Sequence, residues 1–422
     1  MSTSHDVDRR HDNRHARSGA PEVRATRGAI LVQVAIGFVF LTGMSAFVVD
    51  LGILWVARRQ IQNSADSAAL AAAVSLGFDA PGDLTRAREN AQVAVSQNPV
   101  WGEPASMAAT DVTFPPCPTG SVGAGTCVRV DAFRDRAHGS ELTTIFASLV
   151  GVQHQGVRAT ATAQVLFGNT TDCVRPIAIP DRWTEQHNDV GPAGWDRSDT
   201  FERLHPTGTI LPMPDTYEAP IANGANGTGY SRDPVPGNPG DYGLQIRLTP
   251  QQLLYAPVGD ERFIPVRISS DSAGSAGLLQ DMTTCSPRVL GAGDLLDVEF
   301  DDPVMPTVTG ASTLIDQDPG ASWDAGMNGG RGGVSGGCMA TASCTVSPRI
   351  VPIVAFDPAQ WNAAAQSGSV DQVSVVRVVG LFLERLEPPT IVGRIVAYPS
   401  APRSSMLGDP SSAFVVSVAL VR

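Results

Sequence analysis

RGAILVQVAIGFVFLTGMSAFVVDLGILWVARRQIQNSADSAALAAA, from Arg27 to Ala73, decides how the rest of this chain is read. An uncharged apolar run from Gly28 to Val49 passes at Asp50 into a polar, alanine-rich segment. About 22 residues at ~1.5 Å rise give roughly 33 Å of helix, enough to cross a hydrocarbon core of ~30 Å. The sequence therefore predicts a transmembrane helix over 28–50, continued by an alanine-rich helix over 51–80. A cleaved signal peptide competes with this reading, since Ala69-Leu70-Ala71 offers a small-x-small site. The apolar run exceeds the usual ~7 to 15 residues, however, and that site lies about twenty residues and two arginines beyond it. An uncleaved anchor is preferred over both cleavage and a helix buried in a soluble core.

Flanking charge orients the span. Arg9, Arg10, Arg14, Arg17, Arg24 and Arg27 precede it, a positive-inside signal. This predicts a disordered, arginine-rich cytoplasmic tail over 1–27, with the bulk of the chain and all six cysteines periplasmic or extracellular. Arg58 and Arg59, on the outer side, run against it.

Beyond the span, Ala65, Ala69 and Ala73 fall at i, i+4 and i+8, and Ala68 and Ala72 repeat the spacing. One helix face thus carries little bulk, and its backbone can approach a neighbour closely. The protein's own outer domain or a partner helix would satisfy that face. Asp50, Gln62, Ala65, Asp66, Ala68, Ala69, Ala72 and Ala73 are the candidate residues for membrane or partner-helix packing.

The series VVDLGILWVARRQIQNSADSAALAAA resembles the N-terminal segment of TadG-like (TadE/TadG) proteins of Flp, or tight-adherence, pilus-assembly systems. In that family an apolar span ends in an aspartate, followed by an arginine pair, a glutamine, an aspartate and an alanine run. Here these are Asp50, Arg58 and Arg59, Gln62, Asp66, and Ala68 to Ala73. The match covers about fifty residues; SPRIVPIVAFDPAQW and VVRVVGLFLERL are more weakly similar to downstream regions of such proteins. The resemblance implies a non-enzymatic, membrane-anchored envelope protein of the pilus or secretion machinery, acting as anchor or scaffold. Its implied partners are membrane lipid and other pilus-assembly or minor pilin proteins, with a homo-oligomer left open. A surface adhesin or binding module unrelated to pilus assembly is the alternative. Arg27-Gly28 with Gln33 resembles a prepilin cleavage frame in which a neutral amide replaces the glutamate. Many TadG-like proteins also carry a DxSxS metal motif; Asp271-Ser272-Ala273-Gly274-Ser275 lacks its third residue, so metal-dependent adhesion is not implied.

Composition agrees with an extracytoplasmic globular chain. There is no lysine, the formal net charge is -12, and hydrophobic residues make up 42%, enough for real cores. No basic patch interleaved with aromatics is visible, so nucleic acid is not an expected partner. The six cysteines allow fifteen pairings. Proximity favours Cys117 with Cys127 and Cys338 with Cys344, leaving Cys173 and Cys285. No spacing is CxxC, so disulfides are favoured over zinc.

The predicted fold class is α+β: the single N-terminal transmembrane helix running into the alanine-rich helix, a small α/β sandwich over 81–170, and a mostly antiparallel, disulfide-tied β domain over 171–422. In the sandwich, Leu84, Ala87, Ala91 and Val95 form a helical stripe, and Val112 with Phe114, Val128 to Phe133 and Val157 to Val165 alternate as strands. Leu142, Ile145, Phe146, Leu149 and Val150 predict a second helix that Gly151 would cap. In the outer domain, strands are expected at 242–248, 262–269, 294–300, 349–356, 373–386, 391–398 and 413–422, arranged as a sandwich. The low-complexity stretches 222–240 and 319–337 read as surface loops.

No catalytic site, cofactor or metal site is expected. Gly333-Val334-Ser335-Gly336-Gly337 matches GxSxG, but no histidine follows His205, as a hydrolase of that type requires. His5, His11 and His15 lie in the tail. Asp294, Asp297, Glu299, Asp301 and Asp302 form an acidic run that alternation would turn to solvent rather than to calcium. Trp183, Trp195, Trp323 and Trp361 are expected as core or loop anchors.

Overall fold

The computed structural model describes residues 24–79, 84–117, 126–186, 199–205, 208–220, 227–234, 240–252, 258–259, 261–269, 273–368, 370–400 and 413–421. The expectations for the tail histidines, Trp195, Asp271 and Ser272 lie outside these residues, as do the side chains of Leu149 and Val150.

The apolar and alanine-rich segments form one continuous helix, α1 (Arg24–Val74), about 76 Å long at ~1.5 Å per residue. It ends in a π-turn, Ser75–Asp79, and is followed by α2 (Leu84–Gln97), whose Ala87, Ala91 and Val95 are buried. The strands β1 (Val112–Thr113), β2 (Thr126–Arg134), β3 (Leu142–Thr143), β4 (His154–Gln155), β5 (Val157–Gly168) and β6 (Thr170–Thr171) come next. The helix expected over 140–151 does not form. That stretch is the hairpin β3–β4, with a single 3₁₀ turn at Ala147–Val150. Its apolar spacing suits a helix, but Ile145 and Phe146 stay exposed.

The outer part continues with β7 (Ile177–Pro180), β8 (Gln245–Pro250), β9 (Arg262–Pro265), α3 (Gly274–Thr283), β10 (Leu290–Gly291), β11 (Leu295–Asp297) and α4 (Val304–Gln317). Then follow β12 (Ala321–Asp324), β13 (Gly333–Gly336), α5 (Gly337–Ala340), β14 (Ile350–Phe356), α6 (Pro358–Ser367), β15 (Gln372–Glu387), β16 (Thr390–Val396), β17 (Tyr398–Pro399) and β18 (Val415–Val421). Strands β15, β14, β7, β9, β8 and β16 pair in that order, and β16 pairs back with β15, so the sheet closes like a barrel rather than opening into a sandwich. β11 is added at β15. Among the described residues of this sheet, only β14–β7 and β8–β9 are parallel.

All six barrel strands feed one apolar cluster, including Ile177, Ile246, Phe263, Ile353, Leu381 and Ile395, which Met282 of α3 and Leu314 of α4 complete. A second cluster, with Trp183, Phe356 and Trp361, lies beneath α6. The helices α3, α4 and α6 stand in a domain expected to be mostly strands. α6 carries full end signals: Asp357 accepts from the N–H groups of Ala359 (2.8 Å) and Gln360 (3.0 Å), Pro358 starts the helix, and Gly368 closes it at φ 71°. The stretch 319–337 is not a plain loop but the hairpin β12–β13. Within 222–240, Tyr230, Ser231 and Arg232 are buried.

The division at residue 170 does not hold for the last strand. β18 pairs antiparallel with β5 from Val415↔Gly168 to Val421↔Thr162, completing a five-stranded sheet in the order β1-β2-β5-β18-β17. The chain thus leaves the membrane-proximal unit, builds the barrel and returns. Three disulfides join Cys117–Cys127, Cys173–Cys285 and Cys338–Cys344, the pairing that proximity favoured.

Candidate functional site at the membrane-proximal junction

α1 has two environments. From Ile30 to Leu51 its large apolar side chains are exposed, Ile53 and Leu54 are half-buried, and the helix is long and apolar enough to cross a membrane. From Ala57 onward one face is buried: Ala57, Ile61, Ala65, Ala68, Ala69, Ala72 and Ala73 all pack into the membrane-proximal core. The covering surface is β5, β2, β18 and α2.

Sequence explains this fit from both sides. Along β5, Ala159, Ala161 and Ala163 alternate inward and Arg158, Thr160 and Thr162 outward, so a small-residue sheet face meets a small-residue helix face. Each methyl contributes only ~0.8 kcal/mol on burial, so the gain lies in close approach of the two backbones. Of the two occupants left open for the face of Ala65, Ala68, Ala69, Ala72 and Ala73, the structure has the chain's own sheet and α2. The chain's own sheet fills that face, and all five alanines are buried there.

The polar candidates sit on the helix flanks. Gln62 Nε2 donates to Asp66 Oδ1 at 2.8 Å, one turn on, and to the Thr160 carbonyl at 3.3 Å, tying the helix to the outward register of β5. Gln60 Oε1 accepts the Trp101 N–H at 2.8 Å. Arg59 lies over the Trp55 ring, 3.9 Å from its centroid.

Asp50 ends the apolar run and is only 7% exposed. Its carboxylate accepts from three consecutive backbone N–H groups, those of Ile145 (3.1 Å), Phe146 (3.1 Å) and Ala147, where the β3–β4 hairpin turns. Leaving an anion unpaired at this position would cost several kcal/mol, and charge-assisted bonds of this kind offset it. The sequence singled out Asp50 but gave no sign of its partners, because they are main-chain groups about 95 residues away.

A second junction was missed altogether. Arg232, buried within the low-complexity stretch, lies over Phe167 at 4.5 Å from the ring centroid and pairs with Asp233 at 2.7 Å. Burial pushes its guanidinium below the ordinary arginine value. Asp233 also binds Arg331 at 2.9 Å, and Arg331 stacks on Tyr242. One charged pair of the barrel is similarly enclosed: Arg377 Nε donates to Asp181 Oδ2 at 2.9 Å, and the Tyr217 hydroxyl and the Tyr230 N–H donate to the same carboxylate.

The acidic run does not behave as a uniform solvent face. Asp297 and Asp301 are exposed, but Glu299 turns inward and accepts from the N–H groups of Gly274 (2.8 Å) and Asp301 (3.0 Å) and from Arg267 (3.0 Å). Burial pushes its pKa up, but these donors outweigh it and hold the carboxyl below its usual range. Among the described residues no group of three or more His, Cys, Asp or Glu is placed to hold a metal ion. Ser335 lies on β13 and donates to the Ser322 carbonyl at 3.4 Å across the hairpin. Trp183 and Trp361 are core residues, and Trp323 is half-buried under Arg394.

Among known proteins, no curated sequence and no solved structure matched this chain. The Tad family, described as Flp pilus-assembly TadE/G-like, matches residues 28–75. These bounds coincide with the apolar span and the alanine-rich continuation of α1, ending one residue past the helix. Residues 28–75 of this chain are therefore a TadE/G-like segment of the Flp pilus-assembly type, borne on its long apolar N-terminal helix.

Proposed function

We propose that the protein is a non-enzymatic anchor or scaffold of the Flp/Tad pilus-assembly machinery, held in the cell membrane by a single span. The tail over 1–27 faces the cytoplasm and the barrel faces the periplasm or exterior. The observation that carries this reading is the TadE/G-like match over the one segment that is both span and structural root of the folded part. A helix that leaves the bilayer and enters a core without a break transmits position rigidly. That is useful to a scaffold and unnecessary for a tethered adhesin, for which a flexible linker would suffice. The arginines before the span support the orientation. The proposed partners are membrane lipid and other pilus-assembly or minor pilin proteins, which would meet the exposed flank of α1 or the barrel, the alanine face being taken.

The test is affinity purification of the tagged full chain from its native membrane in mild detergent, with mass spectrometry of what copurifies. Recovery of platform, minor pilin or secretin components is the expected result. Recovery of the chain alone, or only with external ligands, would favour the adhesin.

A further inference from the structure

The hairpin tip between β3 and β4 exposes three apolar side chains close together, Ile145 (57%), Phe146 (37%) and Val152 (42%). The tip is well built. Thr144 N–H donates to the Gln153 carbonyl at 3.1 Å, Val152 N–H to Ala147 at 3.0 Å, and Gly151 closes the 3₁₀ turn at φ 89°. Its exposed face is therefore held in place.

Its height along α1 is fixed by Asp50. Helix side chains lean toward the N-terminus, so the Asp50 carboxylate points back toward the apolar span, and the N–H groups of Ile145, Phe146 and Ala147 follow it there. On the same turn Val49 and Leu51 are exposed. Trp55, 59% exposed with Arg59 stacked on it, lies about 7.5 Å further out at ~1.5 Å per residue. Tryptophan and arginine of this kind occupy the headgroup layer. The tip thus lies between the end of the span and the headgroup anchors.

We infer that the β3–β4 tip is a second membrane-contact element: Ile145, Phe146 and Val152 enter the lipid interface beside the span, with Asp50 as the latch that holds them there. The occupant is lipid because the residue that holds the tip, Asp50, stands at the end of the exposed apolar run of the span, with Val49 and Leu51 exposed on the same turn. This rests on residues 28–50 crossing a bilayer, but not on any role in pilus assembly. The consequence is mechanical. A span alone lets the folded part tilt and rotate, whereas a second contact off its axis sets the orientation of the barrel above the membrane.

The chain has no free cysteine, so one introduced cysteine is a single labelling site. The full chain carrying Ile145→Cys, labelled with an environment-sensitive fluorophore, is reconstituted alone in vesicles of equal parts phosphatidylcholine and phosphatidylglycerol. The vesicles contain lipids bearing a nitroxide near either the headgroup end or the methyl end of the acyl chain. Val39→Cys, in mid-span, and Ile210→Cys, an exposed position of the outer part, are the references. The expected result is that the Ile145 label loses severalfold more emission to the shallow quencher than the Ile210 label does, while the Val39 label responds to the deep one. Asp50→Ala is expected to reduce the Ile145 quenching severalfold and leave that at Val39 unchanged. If the Ile145 label behaves like that at Ile210 while Val39 is quenched, the tip does not meet lipid and the inference fails. If Val39 is not quenched either, the span itself fails and the tip with it. Unchanged Ile145 quenching in Asp50→Ala would remove the latch.

Discussion

The Arg232 guanidinium donates to the backbone carbonyl of Gly77 at 3.2 Å, so a buried cation of the outer part grips the turn that ends the long helix. The turn reaches it by lying flat on the sheet: a Cβ at Gly77 would stand 2.9 Å from Val416 Cγ1 and 3.1 Å from Val165 Cγ1. Glycine is therefore required there by close approach. Val416 belongs to the returning C-terminal strand, so helix, sheet and outer part meet at one point.

Arg232→Met keeps the stem over Phe167 but removes the donor to Gly77 and leaves Asp233 to Arg331. The expected loss is about 2–4 kcal/mol, since a buried charge partner and a carbonyl bond go together. Denaturant unfolding of the detergent-solubilised full chain reads it. A loss below ~0.5 kcal/mol, within the range of ordinary surface substitutions, would mean that other contacts hold the junction.

Ala69→Leu separates the two uses of the alanine face. Ala69 is fully buried against the chain's own sheet, so three added carbons force apart a tight helix–sheet contact. A cost of about 1–3 kcal/mol or more is expected, visible as a lower melting temperature of the isolated protein. An unchanged melting temperature would return this face to a partner helix.

How much of this was legible depended on whether the deciding partner was near in sequence. The span, the alanine stripe, the α2 stripe at Ala87, Ala91 and Val95 and the strand β5 are local periodicities, and each formed where the pattern put it. The stretch 140–151 has an equally good helical pattern, but the Asp50 carboxylate takes the N–H groups of residues 145–147 for a turn, and no local signal carries that. Arg232 sat within a glycine- and proline-rich stretch that composition marks as surface, and its burial is a tertiary fact. The return of β18 to β5 is likewise nonlocal, for an alternating strand does not name its neighbour. α6 is different: Asp357, Pro358 and Gly368 spell its ends, so its limits are written in local sequence.

The disulfides should differ in weight. Cys173–Cys285 spans 112 residues and ties the entry to the barrel to the segment after α3, whereas Cys338–Cys344 spans only 6. Loop-closure entropy gives about 4–5 kcal/mol for the first and about 2 kcal/mol for the second. Paired serine substitutions, compared by thermal unfolding, should show the larger drop for Cys173 and Cys285. Equal drops would point to contacts around the bridges, not chain entropy, as the source.

Acidity should reveal a buried carboxylate pair in the outer part. Asp215 is fully buried, with Glu202 N–H on one oxygen and Gln186 N–H on the other, and Gln186 N–H is shared with Glu185. Burial, opposed by those two N–H bonds and reinforced by the neighbouring Glu185 charge, leaves its pKa pushed up to about 6. A folded-state value above the unfolded one, near ~3.9, means the native chain holds this proton more tightly. The contribution is fully present below pH ~4, falls as pH rises through the folded value of about 6, and is absent above it. Two units correspond to at most about 3 kcal/mol. Asp215→Asn keeps the shape and cannot ionise, so its stability relative to the native chain should rise from pH 4 to pH 7 by up to about that amount. Denaturant midpoints of both chains across this range measure the difference. A difference that does not change with pH would mean that Asp215 titrates normally, with Glu185 or solvent relieving its charge.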